Sequence, residues 1–503
     1  MGKYFFEEDP ACAETRQGIY RGRKNEKCYV WKGIRYAEAP AGDGRFGLPQ
    51  EAAAFEGVRE AYSFGNPAMQ HPAGRVTAGM SEDCLFLNIW SPKADGRKRP
   101  VMVYIHGGSF VKGAGSDPEY DGTILVSEGN VVLVTINYRL GAFGFLDFSA
   151  LGDGFKPNCG LHDCTAALKW IKENIEAFGG DAGNITVFGQ SAGAFIISAL
   201  LTIKEASDCI SKAILMSAGP TLFRTKEDAQ NLAAQFMQVT GLDTAEKLKK
   251  VSAEELLAAQ EKFKDHMKLG EGTFMAEVDG EFLKEYPVVS AKNGSLNPSV
   301  PVLMGTTREE MSFLYIKPIA KALDIETMFS AGVDREEPEL QEAVQEKYKR
   351  FGKRGPAIMM SDLIFKLGCT WFAEEASRYT DVWLYSFDYE TAFMKVSGLH
   401  SFHFSDLPFV FGNYRHGYGR IIFLLTPFKK EARRISKMMR KDFLKFVRTG
   451  KLSWEKCSHD SLPAKCYNSS VSYRQLIDKD IRDLYKTTRY KKAAFGESDE
   501  GVF

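Results

Sequence analysis

The chain has no charge excess of either sign: Lys+Arg and Asp+Glu each total 65 in 503 residues. A neutral balance supplies no long-range attraction to nucleic acid or to an anionic membrane surface. The densest basic run, Lys429-Lys430-Glu431-Ala432-Arg433-Arg434, has helical spacing and reads as a solvated helix face. Long apolar runs are absent too. Val131-Val132-Leu133-Val134 falls far short of the roughly 20 residues that span a bilayer. The start, Met1-Gly2-Lys3-Tyr4-Phe5-Phe6-Glu7-Glu8-Asp9, lacks an apolar h-region and turns acidic, so no signal peptide is expected. The nine cysteines are an odd number without paired spacing, which fits a reducing compartment and a cytoplasmic protein. In that setting the sequons at Asn184, Asn293 and Asn468 carry no weight. The eight histidines form no His-Glu-x-x-His pattern, and no Cys-x-x-Cys pair occurs, so neither a metal nor another cofactor is expected. Internal repeats and low-complexity linkers are also missing.

What remains is a chain, 44% hydrophobic, long enough to bury a large core. Length alone suggests about three domains. Strand-like and helix-like blocks nevertheless alternate throughout, which predicts one elaborated α/β domain over 1–503. Two segments rich in Ala, Glu, Lys and Leu, about 221–300 and 315–375, read as helical excursions. Thr244-Ala245-Glu246-Lys247 and Ser252-Ala253-Glu254-Glu255 resemble capping boxes in the first of them. A further helix is predicted over 426–449, and the polar stretch from about 487 is expected to be disordered.

The most informative stretch is Thr186-Val187-Phe188-Gly189-Gln190-Ser191-Ala192-Gly193. Asn184-Ile185-Thr186-Val187-Phe188 has the β-branched, apolar character of a buried strand, and Ala194–Leu201 can run on as a helix. A sharp strand-to-helix turn through small residues forces its central residue into a strained backbone state and exposes a serine hydroxyl. Acyl-transfer chemistry at such a serine needs donors for a developing oxyanion. One is the backbone N–H after the serine, that of Ala192. The others belong to an upstream Gly-rich loop that follows a strand. Val101-Met102-Val103-Tyr104-Ile105-His106-Gly107-Gly108-Ser109-Phe110 has that form. No Gly-Lys-Ser/Thr follows it, which argues against a phosphate cradle. His106 reads as structural.

With these residues in view the chain resembles the type-B carboxylesterase family of α/β-hydrolases, which includes bacterial p-nitrobenzyl esterases, animal carboxylesterases and cholinesterases. Phe178-Gly179-Gly180-Asp181 through Gly193 is similar to the family's nucleophile signature, and Glu82-Asp83-Cys84-Leu85-Phe86-Leu87-Asn88-Ile89-Trp90-Ser91-Pro92 to its second signature. Lys32–Ala37, Asn137–Gly141, Asn158–Asp163 and Leu407-Pro408-Phe409-Val410-Phe411-Gly412 match further blocks. The resemblance implies an α/β-hydrolase fold: a large, mostly parallel central sheet flanked by helices, with helical insertions walling the gorge to the serine. It also implies oxyanion donors at Gly108, Ser109 and Ala192, with Gly107 giving backbone room.

The family's chain order is serine, acid, histidine. Val302-Leu303-Met304-Gly305-Thr306-Thr307-Arg308-Glu309-Glu310-Met311 resembles its Gly-x-x-x-Asp-Glu-Gly block, which puts the acid at Glu310. Either Glu309 or Glu310 has the chemistry to orient a histidine; the resemblance alone separates them. Met311 replaces the family glycine, so a differently shaped turn is expected there. The histidine should follow the last core strand, read as Val382–Phe387, and His400 and His403 both qualify. The family places it three residues before an acid, here Asp406, so the match is His403. An imidazole suits the role because its unperturbed pKa lies near neutrality.

These readings converge on a serine hydrolase of carboxylic esters, using Ser191, His403 and Glu310 through an acyl-enzyme. A non-catalytic binding or adhesion homologue is one alternative; an amidase or thioesterase on the same scaffold is another. Gln190 stands where the family often has glutamate, and no tryptophan lies between Trp31 and Trp90. Both features disfavour cationic esters and point to neutral, apolar ones. Phe110, Phe402 and Phe404 would suit an apolar pocket. The expected partner is a small-molecule ester, with no nucleic acid and no membrane span. Secreted relatives usually bond the cysteine matching Cys84 to one shortly upstream; residues 63–83 contain none.

Overall fold

The computed structural model describes residues 11–71, 79–267, 273–315, 338–423 and 429–497. They group into two compact units, Met1–Lys212 with Thr225–Asp279, and Ala213–Arg224 with Gly280–Phe503.

The first unit is built on five main strands: β1 (Tyr29–Arg35), β2 (Phe86–Ser91), β3 (Arg99–Ile105), β4 (Val132–Ile136) and β5 (Gly180–Gln190). Their lateral order is β5-β3-β4-β2-β1. β3 pairs parallel with both β4 and β5, whereas β2 runs antiparallel to β4 and β1. β4 is buried along its whole length and β3 along nearly all of it, which explains their unbroken apolar sequences: a strand covered on both faces has no polar side to alternate with. Helix α1 (Cys159–Asn174) buries one face, and α2 (Ala192–Leu200), wholly apolar or small, is buried all round. The excursion after 221 forms α3 (Lys226–Thr240), α4 (Ala245–Lys250) and α5 (Ala253–Met267). At the start of α5, Ser252 Oγ accepts from Glu255 N–H (3.2 Å) while Glu255 Oε2 accepts from Ser252 N–H (3.1 Å), a complete capping box. At α4 only half forms. Thr244 Oγ1 accepts from Lys247 N–H, and a lysine at that third position has no acceptor to return the bond.

The second unit carries β6 (Lys212–Met216, from residue 213), β7 (Val302–Thr307), β8 (Val382–Phe387), β9 (Ala464–Tyr467) and β10 (Ser472–Arg474). β6, β7, β8 and β9 pair in parallel in that order, and β10 closes antiparallel on β9. Val382–Phe387 is therefore not the last core strand. Ala464-Lys465-Cys466-Tyr467 follows it in register, Leu384 opposite Ala464. Its brevity and its lysine hide it in the sequence; Lys465 is buried against Asp442 Oδ2 (2.5 Å). Helix α6 (Lys429–Thr449) matches the reading of 426–449 over its described part. Residues 316–337 of the second predicted excursion lie outside the described residues; the rest is helical over Pro338–Lys349 and most of 355–376. The stretch from 487 is not disordered through 497. Thr488 caps a short helix, α7 (Arg489–Ala494), whose Tyr490 hydroxyl donates to the buried Leu363 carbonyl (2.5 Å). A polar sequence concealed three buried positions within this helix: Tyr490, Ala493 and Ala494.

The family-like blocks of the first unit carry ion-pair anchors. Arg139 reaches Asp163 through Nε (2.8 Å) and Nη2 (2.6 Å), its own backbone N–H donates to Asp163 Oδ2 (3.0 Å), and both residues are buried. Two residues on, Gly141 N–H donates to the Phe110 carbonyl (2.7 Å), so this pair braces the Gly-rich loop. Arg45 likewise grips Glu82 (2.5 and 2.6 Å), and Arg35 grips Asp83 (2.6 and 2.7 Å). Removing one partner of a buried pair strands the other charge. Asp163→Asn, nearly isosteric, is expected to lower unfolding free energy by about 3–5 kcal/mol. A denaturant titration that shows less than about 1 kcal/mol, the level of a surface pair, would contradict this.

Candidate functional site

In the first unit β5 ends at Gln190 and α2 begins at Ala192, so Ser191 alone makes the turn. Its backbone sits at φ 57°, ψ −129°, a state a side chain rarely adopts. The turn closes because the backbones touch: a Cβ at Gly193 would fall on the Ile105 carbonyl oxygen at the end of β3. Ser191 O accepts from Ala194 N–H (2.8 Å) and Phe195 N–H (3.0 Å), which starts the helix and leaves Ala192 in its first turn, where N–H groups lack intrahelical acceptors.

The Gly-rich loop is strained in the same sense. Gly108, Ser109 and Phe110 have φ of 121°, 55° and 61°, and the turn is closed by Val111 N–H and Lys112 N–H on the Gly108 carbonyl (3.1 and 3.0 Å). Gly107 lies against the elbow: a Cβ there would come within 2.5 Å of the Gln190 carbonyl oxygen and 3.2 Å of Ser191 Cβ. Gly107, Gln190 and Ser191 are thus brought together. His106 is structural. It is buried, stacks on Tyr138 (4.4 Å) and places Nδ1 2.9 Å from the Gly107 carbonyl; burial pushes its pKa down to about 4. Phe110 is also buried, edge-on to Phe145 (4.8 Å).

In the second unit Glu310 follows β7 and is fully buried. His403 Nδ1 lies 2.6 Å from its Oε2. Its Oε1 accepts from the Ser217 hydroxyl (2.7 Å) and from the Thr307 N–H (2.7 Å). The His403 backbone N–H donates to the Glu310 carbonyl (2.9 Å), which fixes the two residues twice. Glu309 and His400 are not part of this pair. Glu309 pairs with Arg354, and His400 Nδ1 is 3.3 Å from Glu390 Oε1. Met311, in place of the family glycine, is not a positive-φ residue, and its N–H donates to Ser361 Oγ (2.9 Å), so the turn needs no glycine. Phe402 and Phe404 pack edge to face (5.0 Å), and Phe404 is also edge-on to His403 (5.8 Å).

Three neighbours of this pair escape sequence reading. Ser217, itself at φ 53°, carries no motif beyond a small residue after a strand. Phe365 lies on a π-helical turn, Asp362–Lys366, and its ring covers the His403 imidazole at 4.6 Å. Asp406 marks a sequence block, yet its side chain is fully buried. Burial first, and the Glu310 carboxylate second, push its pKa up to about 7, against the Tyr385 hydroxyl that donates to it (3.0 Å).

Comparison with known proteins identifies the family. The profile of the carboxylesterase family matches residues 9–493. The chain is 37% identical to para-nitrobenzyl esterase of Bacillus subtilis over 451 residues, 88% of this chain and 90% of that one. A thermophilic PNB esterase superposes with a TM-score of 0.85 at 33% identity, covering 94% of this chain and 99% of its own. A carboxylesterase of Geobacillus stearothermophilus gives 0.83 at 35% identity, covering 95% and 100%. A buried carboxylate–imidazole pair, a strained serine elbow, and likeness over nearly the whole length lead to one conclusion: the chain belongs to the carboxylesterase family, has the α/β-hydrolase fold and is a serine hydrolase of carboxylic esters.

Proposed function

We propose that Ser191 is the nucleophile, His403 the general base and acid, and Glu310 the carboxylate that orients the imidazole. The observation that carries this reading is the 2.6 Å contact of His403 with a Glu310 carboxylate closed to water. With Nδ1 donating to Glu310, Nε2 is left as the base, and the imidazolium that forms is stabilised by the adjacent charge. Ser191 Oγ attacks the ester carbonyl carbon as His403 accepts its proton. The tetrahedral oxyanion takes hydrogen bonds from the backbone N–H groups of Gly108, Ser109 and Ala192, each contributing about 3–4 kcal/mol on the scale of known oxyanion donors. The intermediate collapses, His403 returns the proton to the leaving alcohol, and the acyl group stays on Ser191. Water, activated by the same imidazole, then releases the acid.

We further propose a small, neutral, apolar ester as substrate, of the kind the Bacillus relative's name indicates, para-nitrobenzyl. Gln190 is buried beside Ser191 and brings no charge to it. A cytoplasmic location is supported by nine cysteines that are all buried and unpaired. No helix among the described residues is long and apolar enough to cross a membrane.

Ser191→Ala is expected to lower kcat by roughly 10⁴–10⁶ while the thermal midpoint barely moves. Retention of a tenth of the activity would place the nucleophile elsewhere. His403→Ala and Glu310→Ala should each abolish most turnover, whereas His400→Ala should stay near wild type. A dead His400→Ala beside an active His403→Ala would reverse the assignment. For charge selectivity, kcat/KM for an ester with a quaternary ammonium in its alcohol should not exceed that of its neutral isostere, and Gln190→Glu should shift the ratio toward the cation. A cation–π contact would give a preference of about 2- to 30-fold, so a wild-type preference above about tenfold would reveal an aromatic or acidic site.

A further inference from the structure

Glu309, Glu390 and His400 take no part in the proposed triad, yet they converge. One ligand-competent atom from each lies within 4.8 Å of the other two. Glu309 is 5% exposed, and its Oε2 is sealed from solvent with no hydrogen-bond partner among the described residues. A buried carboxylate oxygen left without a donor calls for a counter-group, whether a proton, a water or an ion. Arg354 pairs with the other oxygen, Oε1.

One of the three spacings suits an ion. His400 Nδ1 and Glu390 Oε1 are 3.3 Å apart, longer than the 2.7–2.9 Å typical of a charge-assisted hydrogen bond. It matches the edge of a tetrahedron whose metal–ligand bonds are about 2.0–2.1 Å long, which is about 3.3–3.4 Å. The backbone holds two of the three ligands in place: Glu309 N–H donates to the Ser401 carbonyl and His400 N–H to the Met394 carbonyl, both at 3.0 Å. The Glu390 and His400 side chains are 18% and 26% exposed, which leaves a path for a hydrated ion. Two carboxylates and a neutral imidazole, offset by Arg354, leave one net negative charge. An imidazole among the ligands selects zinc and its neighbours over calcium or magnesium, which prefer oxygen alone.

We propose that Glu309, Glu390 and His400 bind one first-row divalent cation of the zinc class, with water in the fourth position. The ligands lie too far apart in sequence to form a motif. Bound cation would tie the turn that carries Glu310 to the segments around 390 and 400, and so stabilise the fold around the proposed acid. The inference does not depend on the assignment of the triad, because its readout is metal binding.

The test is titration of the metal-free, full-length protein with Co²⁺, followed by its visible d–d bands and by displacement with Zn²⁺. One saturable, tetrahedral Co²⁺ site that Zn²⁺ displaces is expected, with a raised thermal midpoint. His400→Ala and Glu390→Gln should each weaken binding at least about tenfold, the lower end of what even outer-shell changes cost. Both variants should keep wild-type ester turnover without metal, which verifies that they are folded. The proposal is overturned if wild type shows no saturable site, if the variants bind as tightly as wild type, or if the spectrum carries thiolate charge-transfer bands that place the ion on cysteine.

Discussion

A carboxylate with no access to water must be held by donors, and the second unit is arranged to hold Glu310. Its two oxygens take the Ser217 hydroxyl, the Thr307 N–H and the His403 ring. Those donors come from the ends of neighbouring parallel strands and from the loop that carries His403, so strand register determines whether the set can form. Asp406, also buried, accepts from the Tyr385 hydroxyl, and burial first and the Glu310 carboxylate second push its pKa up to about 7.

The first unit solves a different problem by different means. Ser191 is presented by backbone strain rather than by paired charge, and Ser109 and Phe110 share that left-handed state. Strain of this kind costs about 1–3 kcal/mol per residue and persists only where the surroundings fix it. Here β3 and β5 lie side by side, the Ile105 carbonyl leaves no room for a side chain at Gly193, and the Arg139–Asp163 pair braces the loop from behind. The Arg139–Asp163 pair is therefore scaffolding for a strained loop.

Sequence carried the elbow well because backbone contact demands small residues at fixed spacing, and Gly189, Ser191 and Gly193 leave that trace. It carried Glu82, Asp83, Arg139 and Asp163 as recognisable blocks without revealing which cation grips which anion, because pairing is a tertiary fact. Glu309 and Glu310 were separable only through the family resemblance; the structure gives them unlike partners, Arg354 and His403. Ser217 lies 93 residues from Glu310, and Phe365 meets His403 through a π-turn, so neither contact leaves a local pattern. The strand at Ala464–Tyr467 and the helix at Arg489–Ala494 were hidden for another reason: their lysines suggest solvent, while the neighbouring Cys466, Tyr490 and Ala494 are buried.

The central claim is that Ser191, activated through His403, is the group that becomes acylated. Its most direct test is reaction with a fluorophosphonate, followed by peptide mass spectrometry of the labelled chain. The account predicts one stoichiometric adduct on the Ser191 peptide in wild type and almost none in His403→Ala. An adduct on any other serine, or equal labelling with and without His403, would contradict it.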